Sequence, residues 1–520
     1  MASVTHLSGG PTISVLQVAN FTVFWGHTML SAKKELLLGF VAVVGLLLAS
    51  AGPVGATSLE FTSGDLVVSV EGNGVEGAAS GPYTDNQAAP LTLFEFAPDG
   101  TSAPATYVGS LVLPQTASGA NSPVSGEYGS SSEGTLQLSG NGKYLTIMGY
   151  GVNAAAFNAD PAKYSSTGNP ALGQSGSLTG QSYTAVPRVV ATIAGDGFVN
   201  STTAVYNVFD QNNPRSVYSV DGTSFYISGQ GNFPDATGGV FYTTLGSHSA
   251  TSITGADAGG GDSQDTRTVM VYDGQLYVST DSKKGSTNRS FIGTLGSKGS
   301  LPTTVANGGN GPTAIPGFTS TGKVTITSGP NSNGNGLNAG LQINLSPSTY
   351  FFANADTLYI ADTGNGKQTS ASSSIGDGGL QKWTFNGTTW TLDYTLADGL
   401  NLVKNSAAEG TTGLYGLTGE DVTIDGVAEV ELFATNATIG DLDPTYLYGI
   451  IDVLGDTTNP GDEVFTELAA APPDSNFKGV AFAPSPVPEA STWVMMLAGF
   501  AGLGFAGRRR WRVMAVVATS

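Results

Sequence analysis

Histidines and paired carboxylates are the candidate catalytic residues of this chain, whose 520 residues include no cysteine and therefore no thiolate nucleophile. The three histidines are His6, His27 and His248, and the first two lie within the first 28 residues. His248 stands in the polar stretch GSHS, which is typical of a hairpin tip. A Ser-His-Asp triad needs its histidine held by a buried carboxylate. We therefore predict that His248 is an exposed turn residue and that the chain has no catalytic histidine.

Acidic pairs are the remaining candidates for acid–base chemistry. Asp441 and Asp443 lie two residues apart in IGDLDPTY, and Asp421 and Asp425 flank a predicted strand. Two carboxylates at a suitable separation can hydrolyse a glycosidic bond. Aspartate before proline or glycine is also ordinary turn chemistry, and this is the interpretation that we favour.

Two oxygen-rich loops could bind Ca²⁺. The first, ADAGGGDSQD, contains Asp257, Asp262 and Asp265, and the second, DTTNPGDE, contains Asp456, Asn459, Asp462 and Glu463. Carboxylate and amide oxygens in a flexible glycine-containing loop suit this cation, although neither spacing matches an EF-hand. A structural Ca²⁺ is the one cofactor that the sequence suggests.

Composition favours strands and tight turns. Glycine accounts for 73 residues and charged residues for only 12%, and glycine disfavours helices. The net charge is −20. Without the two terminal segments described below, 14 basic and 38 acidic residues remain, a charge of −24. Such a surface repels nucleic acid and anionic lipid, so no nucleic-acid partner is expected.

Short alternating strands recur along residues 57–486, many of them after an Asn-Gly or Asp-Gly pair that suits a type I′ turn. Examples are SGNGKYLTIMGY (139–150), SVDGTSFYISG (219–229), VYDGQLYVST (271–280) and TIDGVAEVELFATN (423–436). A second hairpin often follows, as at 91–113, 239–254, 290–306 and 380–396. Four strands per unit predict an all-β propeller with six blades. The tract 307–341 could hold a seventh blade, and tandem β-sandwiches are the rival fold.

The two ends of this body predict a closed ring. The stretch NFKGVAFAPSP (476–486) is typical of an innermost strand with nothing after it, and SGDLVVSVEG (63–72) of a second strand with nothing before it. Pairing the two would remove both free edges. The stretch LYIADTGNGK (358–367) also resembles one repeat of the NHL-type propellers, which implies a blade and no particular ligand.

The N-terminus predicts an export signal. Lys33 and Lys34 precede an apolar run from Leu36 to Leu48, and small residues end at Ala56, where we expect signal peptidase to cleave. Residues 1–28 do not resemble part of a signal, so Met29 is the expected start, with a long positively charged n-region as the alternative. Residues 29–56 are then the signal peptide, a helix that is removed.

The C-terminus has three parts in order: Val487-Pro488-Glu489-Ala490, a short apolar segment from Trp493 to Gly507, and Arg508, Arg509 and Arg510. Here residues 487–512 resemble the PEP-CTERM sorting signal, followed by a tail at 513–520. The resemblance implies a short transmembrane helix with cytoplasmic arginines and recognition of Pro488 and Glu489 by an exosortase. Two departures are Ala490 where the family usually has proline, and the residues that follow Arg510. An ordinary membrane anchor is the alternative.

Two functions fit these features. The first is an exported, non-enzymatic binding or scaffold module that crosses the inner membrane of a Gram-negative bacterium and reaches its outer surface or exopolysaccharide layer, with polysaccharide as its ligand. The second is an extracellular propeller enzyme, a carboxylate-dependent glycosidase or polysaccharide lyase.

Overall fold

A computed structural model describes residues 59–74, 83–232, 235–255, 265–284, 287–318, 323–325, 342–364, 378–403 and 407–485. The chain divides into two units, Met1–Thr57 and Ser58–Ser520. The first unit, with the predicted signal helix, and the predicted transmembrane helix at the C-terminus lie outside the described residues. Within the described ranges, no helix has the length and apolar character needed to cross a bilayer.

The described residues are almost entirely strands and connections, as the composition predicts. In chain order the strands are β1 (Leu66–Gly72), β2 (Ala88–Pro90), β3 (Thr92–Ala97), β4 (Thr106–Val112), β5 (Ser125–Glu127), β6 (Gln137–Leu138), β7 (Tyr144–Tyr150), β8 (Arg188–Ala194), β9 (Val199–Val205), β10 (Pro214–Tyr218), β11 (Ser224–Gly229), β12 (Gly239–Thr244), β13 (Thr251–Ser252), β14 (Thr266–Tyr272), β15 (Gln275–Lys284), β16 (Thr287–Leu295), β17 (Thr313–Ala314), β18 (Lys323–Thr325), β19 (Gln342–Asn344), β20 (Pro347–Asn354), β21 (Thr357–Asp362), β22 (Gly379–Phe385), β23 (Trp390–Leu396), β24 (Thr411–Ile424), β25 (Val427–Thr438), β26 (Tyr446–Val453), β27 (Thr466–Ala470) and β28 (Ser475–Phe482).

In the described residues, the helices are one α-helix, α1 (Ala154–Ala159), and three 3₁₀ turns at Pro161–Tyr164, Leu172–Gln174 and Asn307–Gly309. Helix α1 and the first two turns lie in a long insertion between β7 and β8, which the sequence analysis did not anticipate. The side chain of Asn153 caps α1 by accepting a hydrogen bond from the Ala156 N–H at 2.8 Å, which satisfies one of the donors left open at a helix start.

Six antiparallel sheets form the blades of a β-propeller in the described part of the chain, which confirms the predicted fold. From the innermost strand outwards, they are β28-β1-β3-β4, β6-β7-β8-β9, β10-β11-β12-β13, β14-β15-β16-β17, β20-β21-β22-β23 and β24-β25-β26-β27. We number them blades 1 to 6 in this order. Blade 2 also carries β2 and β5, and β5 pairs with the end of β7 at Ser125 and Tyr150.

The ring closes as the sequence predicts. The last strand, β28, pairs antiparallel with β1, from Leu66 opposite Phe482 to Gly72 opposite Ser475. Blade 1 therefore takes its innermost strand from the end of the body and its other three strands from the beginning. Such closure gives β1 a partner along both of its edges.

The tract 307–341 supplies one strand of a blade and part of a small sheet in the described residues. Thr313–Ala314 is the outer strand of blade 4, so the second arm of the hairpin expected at 290–306 lies further along the chain. Lys323–Thr325 pairs with Gln342–Asn344 as a separate two-stranded sheet. Residues 319–322 and 326–341 of the tract lie outside the described residues.

Two of the predicted Asp-Gly turns have positive φ at both central residues, as type I′ requires. They are Asp273-Gly274 (45° and 72°) and Asp425-Gly426 (51° and 85°). At Asn141-Gly142 and Asp221-Gly222 only the glycine has positive φ. These two connections are therefore not type I′ turns. In the second of them, the Asp221 side chain folds back and accepts a hydrogen bond from the Thr223 N–H at 2.8 Å.

Apolar side chains fill the spaces between neighbouring blades. Between blades 6 and 1, Phe433 and Leu468 pack with Leu66, Phe94 and other buried side chains. The Phe94 and Phe477 rings lie 6.2 Å apart in an edge-to-face arrangement. Full burial of each such side chain stabilises the fold by about 2–3 kcal/mol, so blade contacts stabilise a body that has no disulfide.

Candidate functional site

The chain leaves the propeller at a defined point next to blade 2. After β28 ends at Phe482, the Ala483 N–H donates to the Asp65 carbonyl and the Ser485 N–H donates to the Gly142 carbonyl, each at 2.8 Å. The predicted sorting residues Val487, Pro488, Glu489, Arg508, Arg509 and Arg510 follow this point and lie outside the described residues, as does the expected cleavage site at Ala56. Three residues, 483–485, therefore separate the closing strand from residue 486.

His248 is an exposed residue of the β12–β13 hairpin, as predicted. Its Nδ1 lies 3.1 Å from the Ala204 carbonyl oxygen, and its ring packs edge-on against Tyr206 at 6.3 Å between centroids. These contacts tie the hairpin tip to the neighbouring blade. They give His248 a structural environment rather than that of a triad histidine.

The acidic pairs considered from the sequence lie in turns and in a hairpin. Asp443 accepts hydrogen bonds from the Gly440 N–H at 2.8 Å and the Gly410 N–H at 2.9 Å. Asp425 occupies the tight turn between β24 and β25, and Asp421 lies opposite Val430 in the same hairpin. Their positions agree with the turn chemistry expected of aspartate.

The candidate Ca²⁺ residues are placed only in part. Asp257 and Asp262 lie outside the described residues, whereas Asp265 forms an ion pair with Arg215. In the second loop the Asn459 side-chain oxygen accepts from the Gly461 N–H at 2.8 Å, and Glu463 hydrogen-bonds to Asp452. Nowhere in the described ranges do three or more histidine or carboxylate side chains converge as cation ligands. Ca²⁺ binding at Asp456, Asn459 and Asp462 stays a prediction.

Two ion pairs lie side by side on blades 3 and 4, a feature that the sequence analysis missed. Arg215, on the innermost strand of blade 3, pairs with Asp265, and Arg267, on the innermost strand of blade 4, donates to Asp281 at 2.9 Å. Asp281 also accepts from the Ser290 and Ser346 hydroxyls, each at 2.8 Å. The Arg267 and Asp281 side chains keep 18% and 24% of their surface exposed. We call these four charged residues the axial cluster.

Three buried glutamates lie beside the insertion of blade 2. Glu127 accepts from the Gly173 N–H at 2.9 Å, and the Asn213 amide donates to both Glu127 and Glu133. Glu133 also accepts from the Tyr150 hydroxyl. Glu71 lies 3.8 Å from the Lys478 ammonium. We call Glu71, Glu127 and Glu133 the glutamate cluster.

Burial raises the pKa of each glutamate in this cluster to about 8. The neighbouring carboxylates raise the pKa values further, since like charges disfavour ionisation. Lys478 acts in the opposite direction on Glu71. At neutral pH these groups therefore hold protons that ordinary glutamates would have lost.

A third buried group joins blades 5 and 6. The Lys382 ammonium donates to the Val453 carbonyl and lies 2.7 Å from Asp452 Oδ2, and both side chains are fully buried. The hydroxyls of Tyr359 and Tyr394 donate to the same carboxylate. Glu463 hydrogen-bonds to Asp452 as well, and burial together with the Asp452 charge raises its pKa to about 9. Four of these five residues lie on separate strands, so the group ties two blades together.

Local sequence patterns hardly predict these charged clusters. Arg215 and Asp265 are 50 residues apart, and Lys478 donates to the carbonyl of Ser130, 348 residues away. The one local signal is a charged residue within an otherwise apolar strand, as in LQKWTF around Lys382. Charged residues are almost never fully buried unless paired. Such a residue in a buried strand therefore indicates an oppositely charged partner elsewhere in the chain.

The fold and the exit point define a β-propeller that continues directly into a C-terminal segment, and comparison with known proteins identifies that segment. Residues 486–510 match the model of the PEP-CTERM protein-sorting motif. The chain thus carries this motif immediately after its closing strand, as the resemblance implied. The motif indicates an exported protein that is processed at a membrane. No curated protein sequence matches the chain.

Solved structures with a related shape share little sequence with this chain. Apo AztD from Citrobacter koseri aligns over 81% of this chain and 99% of its own, with 9% identity and a TM-score of 0.26. Drosophila Plexin A in complex with Semaphorin 1b covers 78% and 79%, with 6% identity and a TM-score of 0.32. An ancestral GH74 enzyme covers 74% and 42%, with 10% identity and a TM-score of 0.22. Because each TM-score is below 0.5, these similarities carry no argument about function.

Proposed function

We propose that this exported propeller is a non-enzymatic binding or scaffold module of the bacterial envelope or exopolysaccharide layer. The observation that carries this proposal is the direct continuity of the closing strand β28 with the sorting motif. Whatever processes the motif acts on a chain whose entire upstream body is one closed ring. The ring is therefore the cargo, and its surface is what reaches the destination.

The sorting route that we propose uses two processing enzymes. Signal peptidase removes the segment that ends at Ala56, and an exosortase-type enzyme recognises Pro488 and Glu489 while Arg508–Arg510 hold the tail at the cytoplasmic side. The inner membrane is then a transient location. Release to the outer surface or the extracellular matrix completes the route.

Structural roles of the buried charges support binding rather than catalysis. The Lys382–Asp452 pair joins two blades, and Lys478, beside Glu71 on blade 1, donates to the Ser130 carbonyl of blade 2. Groups held in this way maintain a rigid ring. A rigid surface suits recognition because it loses little conformational entropy when it binds a ligand. The partly exposed axial cluster, with alternating positive and negative groups, offers hydrogen-bonding groups of both kinds to a polysaccharide.

The mature protein from culture tests this proposal against purified matrix polysaccharides. We expect saturable binding without release of shorter or unsaturated products. Asp281→Asn should weaken binding, while Asp425→Asn, in an exposed turn, serves as the matched control. Turnover by the wild type would refute the non-enzymatic role, and failure of every polysaccharide to bind would refute the choice of ligand.

A second candidate function, a carboxylate-dependent glycosidase or polysaccharide lyase, is favoured by one observation. The glutamate cluster combines neighbouring carboxyl groups with pKa values of about 8, and a proton-carrying carboxylic acid at neutral pH is what general acid catalysis requires. If this candidate is correct, product release should disappear in Glu133→Gln while polysaccharide binding persists.

A further inference from the structure

The sorting motif begins on one particular face of the propeller. Within each blade the connections from first to second strand and from third to fourth strand lie at the same end, because neighbouring strands are antiparallel. Ser485, the last described residue, donates to Gly142 in the first of these connections in blade 2. That connection in turn bonds to the equivalent one in blade 3, through the Gly140 N–H and the Ser219 carbonyl at 2.9 Å. We call this end of the ring the exit face.

Exposed apolar side chains concentrate on the exit face. Ten large apolar side chains are exposed among the described residues, and seven of them lie in, or directly beside, exit-face connections: Phe198, Val220, Leu245, Val305, Ile424, Val427 and Val464. Phe198 is the most exposed of the ten, at 62%.

The other three lie elsewhere. Val108 and Val112 lie on the outer strand β4, and Leu442 lies in a connection at the opposite end. Single exposed apolar residues are normal on a protein surface, but their concentration at one end distinguishes that end from the rest.

The length of chain after Ser485 limits how far this face can be from a bilayer. Seven residues, 486–492, precede the apolar segment that begins at Trp493. Fully extended, they span at most about 25 Å, at 3.3–3.6 Å per residue. While the apolar segment is in the membrane, the exit face therefore stays near the membrane surface, and the exposed apolar side chains are on the end nearest to it.

We propose that, before the sorting segment is cut, the exit face rests on the bilayer and its exposed apolar side chains enter the lipid headgroup region. The partner is a lipid surface. The inference uses the sorting motif and is independent of the ligand that the released body binds.

Charge decides which lipids suit this contact. Several exit-face turns carry an exposed aspartate, among them Asp196, Asp221, Asp273, Asp356 and Asp425. Anionic headgroups repel these charges, whereas zwitterionic headgroups do not, and salt screens the repulsion. The proposed surface is thus a zwitterionic bilayer, and the contact should weaken as anionic lipid is added.

The absence of cysteine makes a site-specific test direct. Single cysteines are introduced into the full-length chain at Phe198, Leu245 or Ile424, and each variant is labelled with an environment-sensitive fluorophore. Matched controls are Val108→Cys and Leu442→Cys, whose native side chains are 45% and 48% exposed. The anchored protein is reconstituted into protein-free phosphatidylcholine vesicles that contain a lipid-borne quencher at the headgroup depth.

We expect at least threefold stronger quenching at the three exit-face positions than at the two controls. Quenching should decrease when phosphatidylglycerol replaces part of the lipid and recover with salt. Equal quenching at all five positions would overturn the proposal. So would protection of the exit face only in native membranes and not in pure lipid, because a protein would then be the partner. Circular dichroism of each labelled variant confirms that the fold is retained.

Discussion

Replacing Lys382 by methionine should destabilise the propeller far more than replacing an exposed lysine. Lys382 and Asp452 are both fully buried, with Nζ 2.7 Å from Oδ2. Methionine fills a similar volume but leaves the Asp452 carboxylate without its counter-charge. Removing one partner of a buried ion pair costs about 3–5 kcal/mol, since the other charge is left in a poorly solvating interior.

Lys298→Met is the matched control. Lys298 also pairs with an aspartate, Asp273, but the two side chains are 68% and 57% exposed. An exposed pair contributes little to the free energy of unfolding because water and salt screen it. The difference between the two methionine variants therefore isolates the effect of burial from the loss of a lysine.

Equilibrium unfolding in urea, followed by the fluorescence of the buried Trp383 and Trp390, measures both costs. The double variant Lys382→Met/Asp452→Leu should be more stable than Lys382→Met alone, because it removes the uncompensated charge. If Lys382→Met costs no more than Lys298→Met, or if the double variant is the least stable, the buried pair does not hold blades 5 and 6 together as described.

Three further predictions follow from the same structure. Because the glutamate cluster has pKa values raised to about 8, its contribution to stability is complete below the unfolded pKa of 4.5 and is lost as pH rises towards 8. The loss is up to about 1.4 kcal/mol per pH unit for each proton released. Urea midpoints across this range should fall less steeply in Glu133→Gln, and an unchanged slope would contradict the assignment. Gly72→Ala should cost several-fold more free energy of unfolding than Gly426→Ala. Both glycines have positive φ, but an added Cβ would lie 2.2 Å from the Asp474 carbonyl oxygen at Gly72 and would meet nothing within 4 Å at Gly426. Equal costs would show that φ alone matters. Replacing Arg508–Arg510 by glutamine should leave the sorting tail uncut, visible as an increased intact mass, whereas Lys143→Gln should not change processing.

The blades could be predicted from the sequence because the turn residues and strand patterns that define each hairpin lie close together in the chain. A two-residue turn such as Asp425-Gly426 and the alternating strands beside it lie within about 15 residues, and turn chemistry alone favours a hairpin there. The closure of β28 on β1 was predictable for a different reason. A strand without a partner at each end of a repeating body leaves two unpaired strand edges, and pairing the two strands with each other removes both.

The charged clusters were not predictable because they depend on how blades lie against one another. Arg215 has no local sequence feature that distinguishes it from a solvated arginine, yet its partner Asp265 directly precedes the innermost strand of the next blade. The position of the insertion, which contacts Glu127 through Gly173, likewise depends on tertiary packing, since its short helix and 3₁₀ turns have weak sequence signals. The packing of neighbouring blades determines which charged side chains are buried, and the sequence of a single strand does not predict that packing.

The position of the closing strand connects folding to sorting. Leu66 and Phe482 pair across more than 400 intervening residues, and bringing the ends of so long a free chain together is entropically costly. Blades 2 to 6 remove most of that cost, because once formed they hold the two ends of the ring close together. We therefore expect closure to come last, and it uses the strand directly before the sorting motif. A chain whose ring has not closed presents its processing site on a loose C-terminal arm, whereas a closed ring fixes Ser485 against Gly142. We therefore expect a processing enzyme to meet the motif directly after a completed propeller, and a cut within residues 486–510 would leave the closing strand and its pairing with β1 intact.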